Sequence, residues 1–307
     1  MKTLITGVNG FIGAAHAERL KRGGASITGL DLQAAEQAGH CDEYVQLDLG
    51  SPAAAQVLRG LPAFDCILHA GGISGFMVET GNPQRIFDVN VAGTMAVLDL
   101  ARRIRCRRLV LCSTLMVYGP DEGPAAPHSE AEYPEPISVY GGSKLAVEGL
   151  MHAFRGQYEV DAIALRFTHV YGPGRTTECF VRDMLGAAAA GHPCRIPQAG
   201  GSLRQYVHLD DVCQSIDLAL AVERPRSRVF NISADEVHTL AEVAAIVRAL
   251  APRLEVSFDE RRDLPNYRIG KLSIERARDE LGYAPRFPLQ QGVAAYRAQS
   301  FASPPRP

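Results

Sequence analysis

The sequence predicts an α/β fold: a doubly wound parallel sheet with helices on both faces, followed by a smaller C-terminal α/β region. Three observations predict it. The chain opens on a β-prone run, Lys2-Thr3-Leu4-Ile5-Thr6, that turns through glycines straight into a helical segment, Ala14 to Arg22. Short apolar runs then alternate with helix-length segments as far as residue 167, the pattern of βαβ units. The runs are near-continuously apolar, as strands covered on both faces require.

Composition bounds the rest. The 307 residues suffice for one large or two modest domains. Hydrophobic residues make up 46% and charged ones 21%, the profile of a soluble globular protein. The formal net charge of −2 gives no electrostatic case for nucleic acid. The basic run Arg102-Arg103-Ile104-Arg105-Cys106-Arg107-Arg108 reads as a helix C-terminus and the turn after it. Seven cysteines without a C-x-x-C pair argue against a disulfide framework or a zinc site and fit a reducing compartment. No signal peptide and no apolar run of transmembrane length is visible, so a cytoplasmic location without a membrane is expected.

In order along the chain, Gly7-Val8-Asn9-Gly10-Phe11-Ile12-Gly13 joins the first strand to the first helix. Strand, glycine turn and helix form the context in which a Rossmann-type fold holds a dinucleotide. The glycines let backbone approach a pyrophosphate, and the helix N-terminus offers free N–H groups. Ser26-Ile27-Thr28-Gly29-Leu30-Asp31 is the second strand. A carboxylate at its end accepts bonds from the adenosine ribose and repels a 2′-phosphate. Leu32-Gln33-Ala34-Ala35 offers no arginine for that phosphate, so NAD is favoured over NADP. Glu43 to Leu47 is the third strand, running into Asp48-Leu49. Asp65 to Ala70 is the fourth, followed by small residues, Gly71-Gly72-Ile73-Ser74-Gly75, over which a cofactor can lie flat. His69 reads as a buried, satisfied histidine. Pro83 to Arg105 is a long helix, in which Asn90 and Gly93 imply a distortion or a close approach.

The chemistry is concentrated between Leu109 and Lys144. Leu109-Val110-Leu111-Cys112-Ser113-Thr114 is a buried strand ending in two hydroxyls, at the edge where open α/β sheets place ligands. A Pro/Glu-rich loop follows, and then a helix with Ser138 as its N-cap. Tyr140 and Lys144 share one face of that helix, four residues apart. An ammonium beside a phenol favours the phenolate and so a general base. Thr114 can orient a substrate hydroxyl. Asp161 to Phe167 is a further strand. Beyond it, residues 180–191 read as helix, Arg204 to Val212 leads into a helix ending near Val222, Val229 to Ile232 is a strand, and Leu240 to Leu250 and Ile274 to Leu281 are helical. We expect residues 1–167 to form the cofactor half, with exchange from about 205–232. Residues 168–301 mainly form the substrate half, and 302–307 a disordered tail.

These residues resemble an extended short-chain dehydrogenase/reductase of the NAD-dependent epimerase/dehydratase group, over nearly the whole chain. The landmarks are Gly7/Gly10/Gly13, Asp31, Asp48-Leu49, Asn90-x-x-Gly93-Thr94, Ser113-Thr114-x-x-Val117-Tyr118-Gly119 and Tyr140-x-x-x-Lys144. Leu165-Arg166-Phe167 before Val170-Tyr171-Gly172-Pro173, and Arg204-x-Tyr206-Val207-His208-x-Asp210-Asp211, complete the set. The resemblance implies Tyr140 as acid/base, Lys144 on the nicotinamide ribose and Thr114 on the substrate hydroxyl. It implies NAD held by Gly7, Asn9, Gly10, Phe11, Ile12, Gly13, Asp31 and Leu32. Asp48, Leu49, Ala70, Gly71, Gly72, Asn90 and Thr168 join them. Ser74, His169, Arg204 and one of Arg261 and Arg262 are implied on the substrate, a small sugar or sugar derivative. A homodimer is implied through helices near 83–104 and 139–155.

Three departures carry information. Leu115-Met116 stands where sugar 4,6-dehydratases of the group have an acidic pair, which disfavours dehydration. His169 stands where nucleotide-sugar epimerases usually have an asparagine. Glu260-Arg261-Arg262-Asp263-Leu264-Pro265 resembles the group's second phosphate-binding segment with one residue missing. The leading expectation is a nucleotide-sugar epimerase. The alternative is a dehydrogenase of a free sugar, sugar acid or small hydroxy compound with net NADH, since His69 to Ser74 resembles enzymes that oxidise free uronic acids. A non-catalytic regulatory protein is a third reading, opposed by the intact Thr114, Tyr140 and Lys144.

Overall fold

In the computed structural model the described residues are 1–37, 39–74, 81–120, 127–259 and 269–301. Seven parallel strands form the central sheet in the order β11-β6-β5-β4-β1-β2-β3. They are β1 (Lys2–Thr6), β2 (Ser26–Asp31), β3 (Glu43–Gln46), β4 (Cys66–His69), β5 (Arg108–Thr114), β6 (Ala162–Phe167) and β11 (Val229–Ile232). The order reverses between β1 and β4, and that switch point opens a crevice beyond the strands' C-terminal ends.

The apolar runs feed two cores because neighbouring side chains on a strand point to opposite faces. On β5, Val110 packs into one core, with α1 (Phe11–Arg22) and α7 (Leu209–Ala221). Leu109 and Leu111 pack into the other, with α2 (Ala54–Gly60), α4 (Gly93–Ile104) and α5 (Val139–Tyr158). A third core lies among α6 (Phe180–Ala190), α8 (Leu240–Leu250) and α10 (Leu289–Ser300). Three two-stranded sheets lie outside the main one. They pair β7 (His169–Tyr171) with β10 (Tyr206–His208), β9 (Leu203–Arg204) with β12 (His238–Thr239), and β8 (Cys194–Ile196) with β13 (Val256–Phe258). The last helix on the sheet is α9 (Glu275–Leu281), against β11.

The expected long helix at 83–105 is interrupted. Pro83–Ile86 is α3, Phe87–Ala92 is a π-helical segment, and α4 follows. Asn90 lies within the π-helical segment and its side chain bonds the loop after β4, in keeping with the occurrence of such bulges near functional sites. Gly93 then lies against Leu49: a Cβ there would come 2.9 Å from the Leu49 Cβ, so only glycine lets the two segments meet. Arg102 and Arg103 fall in the last turn of α4, and Arg105 closes it with φ 51°, in agreement with the terminus expected there. Ser138 caps α5, its Oγ accepting from Gly141 N at 3.0 Å.

Candidate active site

At the crevice, the glycine loop is a cradle of backbone. Gly7 has φ +68°, and a Cβ on it would lie 2.6 Å from Gly71 Cα. One on Gly13 would lie 2.0 Å from Gly7 O. No described side chain caps α1, whose N-cap is Gly10, so its first N–H groups and dipole remain for an anion. These features fit a dinucleotide's diphosphate. Asp31 stands at the end of β2 with Oδ2 accepting from Asn9 N at 3.0 Å and Oδ1 from Gln33 N at 3.3 Å. The Asn9 side chain is spent on the loop after β2, donating to Ala35 O at 2.9 Å and accepting from Gln37 N at 3.0 Å. Leu32 is exposed beside it. Asp48 accepts from Gly50 N and pairs with Arg85 at 2.9 Å, and these bonds hold its carboxyl below the usual range against the opposing effect of burial.

A cavity of about 370 Å³ runs from the glycine loop to β7 and α6. Gly10, Phe11, Ile12 and Gly13 line one end, and Ala70, Gly72 and Ser74 the next part. Thr114, Tyr140 and Lys144 all line the cavity. Thr168, His169 and Arg204 line the far side. Gly7, Asn9, Asp31, Leu32, Asp48, Leu49, Gly71 and Asn90 lie outside this cavity's lining. Arg261 and Arg262 fall outside the described residues.

Thr114 ends β5, and its hydroxyl accepts from Met116 N at 3.2 Å, starting the 3₁₀ turn Leu115–Val117. Tyr140 is 8% exposed in the first turn of α5. The Lys144 ammonium donates to Cys112 O at 2.9 Å. A Cβ on Gly72 would lie 3.5 Å from that Nζ, which places the ammonium beside the loop after β4. Burial lowers the Lys144 pKa, and the neighbouring Glu148 carboxylate opposes that fall. Asn90 clamps the same loop: Oδ1 accepts from Ile73 N at 2.8 Å, and Nδ2 donates to Ile73 O and to Ser143 Oγ, both at 3.0 Å. His69 is buried and bonded as expected, Nδ1 2.6 Å from Thr6 Oγ1 and Nε2 2.8 Å from Thr94 Oγ1. Burial, with Lys144 adding to it, pulls its pKa down to about 3, so it is a neutral strut.

On the far side, His169 Nδ1 lies 3.0 Å from Gln205 O, and burial with the Arg204 charge pulls the ring's pKa down to about 3. Arg204 is 2% exposed; it donates to Gln198 Oε1 and to Leu203 O, and it lies over the Phe180 ring. The sequence also allows Arg204 to pair with Asp210 or Asp211; in the structure Asp211 accepts from Arg286 N and Phe287 N instead. Sequence reasoning passed over Arg175, whose guanidinium sits 5.7 Å from the centroid of Phe11 and donates to Val170 O and Glu178 O. It also passed over Met116, Phe180 and Tyr206, which line the cavity. The one signal for Arg175 was its place at the end of a Gly-Pro-Gly turn.

Comparison with known proteins agrees with this arrangement. Residues 3–233 match the model of the NAD dependent epimerase/dehydratase family. A UDP-glucose 4-epimerase of Mycolicibacterium smegmatis is 30% identical over 96% of this chain and 96% of its own length. A probable UDP-glucuronate 4-epimerase of Rhizobium meliloti is 30% identical over 70% of this chain and 67% of its own. The solved structure of MoeE5 in complex with UDP-glucuronic acid and NAD superposes with a TM-score of 0.85 at 27% identity, covering 98% of this chain and 100% of that one. Glycine cradle, Asp31 and the Thr114–Tyr140–Lys144 cluster thus stand in a protein that belongs to the NAD-dependent epimerase/dehydratase family.

Proposed function

We propose that this enzyme inverts a carbinol centre of a nucleotide-sugar, a UDP-sugar by analogy with its relatives, and that carbon 4 is the centre. The observation that carries the reading is the meeting of Gly10 and Gly13 of the cradle with Thr114, Tyr140 and Lys144 in one cavity. NAD supplies a hydride acceptor that can return the hydride. Tyr140 takes the proton from the carbinol oxygen as the carbon gives up its hydride, and returns it to the carbonyl oxygen when the hydride comes back to the other face. Lys144 favours the phenolate by its charge. Thr114 holds the reacting oxygen by a hydrogen bond. The cradle of Gly7, Gly10 and Gly13 holds the diphosphate of the cofactor, and Asp31 its adenosine ribose.

Arg204, joined by Arg261 or Arg262, takes the anionic end of the substrate, a role suited to a charge-assisted bond. Ser74 and the neutral His169 contact the sugar side. We read residues 1–167 with about 205–232 as the cofactor half and 168–301 as mainly the substrate half. Leu115 and Met116 carry no carboxylate, so the acid and base that elimination of water needs are lacking there.

We further propose a homodimer through the interrupted helix of α3 and α4 packed with α5. Phe87 and Met95 are exposed large apolar residues there, and Gly142, Gly149 and Gly156 of α5 face open space. Among the described residues no helix is long and apolar enough to cross a membrane, and all seven cysteines are free, which supports a reducing, cytoplasmic setting.

Tyr140→Phe tests the catalytic assignment. It should lower turnover about 10²–10⁴-fold, the usual worth of a positioned acid/base, with NAD binding retained. A variant of near-normal turnover makes Tyr140 a bystander.

A further inference from the structure

Behind the reactive cluster lies a buried ionic network that the chemistry above does not use. Glu148 follows Lys144 by one turn of α5, so Tyr140, Lys144 and Glu148 recur every four residues along one helix. Glu148 is 3% exposed and Arg166 4%. Arg166 Nε donates to Glu148 Oε1 at 3.1 Å, and its second nitrogen donates to Oε2 at 2.7 Å. Ser113 Oγ donates to Glu148 Oε1 at 2.5 Å. Ser113 immediately precedes Thr114 and pairs with Arg166 across the β5–β6 ladder. On its other side, Arg166 donates to Tyr118 OH at 2.7 Å, and Tyr118 OH donates to Asn231 Oδ1 at 2.9 Å. Glu148 is thus bonded to Ser113 and stands one turn along α5 from Lys144, while Arg166 reaches on to Tyr118.

Lys144 needs such a neighbour. It loses solvation in the cavity wall, and the bond it gives to Cys112 O supplies a dipole but no charge. Cys112 on β5, His69 on β4 and Glu148 on its own helix interact with it electrostatically, and Tyr140 stands one turn before it on α5. Burial pushes the Cys112 thiol up to about 12 and holds His69 near 3, so neither is charged at neutral pH. Glu148 is the carboxylate in the set.

We propose that Glu148 and Arg166 are positioning residues: Glu148 supplies the negative charge that keeps Lys144 an ammonium, and the pair pins the strand end that carries Thr114. The catalytic consequence rests on the function proposed above; the charge relation does not, and it is measured without substrate. The chain has four lysines, Lys2, Lys21, Lys144 and Lys271, so a nuclear magnetic resonance titration of protein with ¹³C-labelled lysine resolves each side chain, with Lys144→Met as the assignment control.

In Glu148→Gln the Lys144 midpoint should fall by about one pH unit or more, the usual effect of removing an opposite charge at close range, while Lys2, Lys21 and Lys271 stay in place. Glu148→Asp should keep the Lys144 midpoint near that of the unsubstituted protein. The alkaline limb of the turnover profile should move down with it. Should Glu148→Gln fail to fold around the stranded Arg166, the double substitution Glu148→Gln with Arg166→Gln removes both charges. The midpoint then still falls, by less, because the repulsion from Arg166 goes too. An unmoved Lys144 midpoint in whichever of these variants folds overturns the proposal. A moved midpoint in a protein that epimerises nothing overturns the function and leaves the charge relation standing.

Discussion

On the proposed reading, Asp31 sets which dinucleotide the glycine loop accepts, and it does so with one carboxylate. Its oxygens already accept from Asn9 N and Gln33 N, which fixes the side chain at the end of β2. A 2′-phosphate brought there would meet a fixed negative charge. NADP should therefore bind at least tenfold more weakly than NAD, about 1.4 kcal/mol or more. Replacing Asp31 by Ala together with Leu32→Arg should reverse the preference. Calorimetric titration reads both, and equal affinities in the unsubstituted protein would remove this role. At this scale Tyr140 and Lys144 were legible as neighbours, four residues apart on one helix, and both line the same cavity as Thr114. Arg204 was less so. The sequence left open whether it meets a ligand or an aspartate, and the answer depends on Gln198 and Phe180, which local spacing does not connect to it.

Helix α1 carries the cradle at one end and a buried titratable group in its body. His16 is fully buried, neither ring nitrogen has a hydrogen-bond partner among the described residues, and Nε2 lies 3.8 Å from Asp217 Oδ1 on α7. Arg19, which donates to Asp217, faces the same place. Burial lowers the His16 pKa to about 4, with Asp217 opposing the fall and Arg19 adding to it. A folded-state pKa below the unfolded value of about 6.5 means that the unfolded chain takes up the proton first as pH falls. The stability this group contributes is whole above about pH 6.5 and is lost between there and about pH 4, up to ~3 kcal/mol. His16→Leu should flatten the fall of melting temperature with acidification across that window. An unchanged slope would show that other groups, such as His69 and His169, carry the acid sensitivity.

Elements with strong local signals were read correctly: the glycine turn into α1, the apolar run of β5 and the Ser138 cap. Helices α2 and α10 went unread. The first is short, and the second has a weakly apolar face because tertiary packing, Gly292 against Tyr171 among it, decides its place. The short strands β7 to β10, β12 and β13 are fixed by pairing with distant partners, which no local pattern records.

For the whole molecule, the sheet order places β1 and β4 on either side of the switch point, and α5 brings Tyr140 and Lys144 to the strand end that carries Thr114. That alternation of strand and helix was visible in the sequence. How the chain after residue 167 folds over the crevice was not, since three small sheets there join segments far apart in the chain. The architecture supports a site that removes a hydride, keeps its product and gives the hydride back, and the account stands or falls on that return. The most direct measurement is to incubate the protein and NAD with UDP-glucose and with UDP-glucuronic acid, following sugar isomers by chromatography and NADH by its absorbance. The account predicts that one of these sugars is converted to its 4-epimer with no build-up of NADH. Stoichiometric NADH with an oxidised sugar, or no isomer from any nucleotide-sugar, would contradict it.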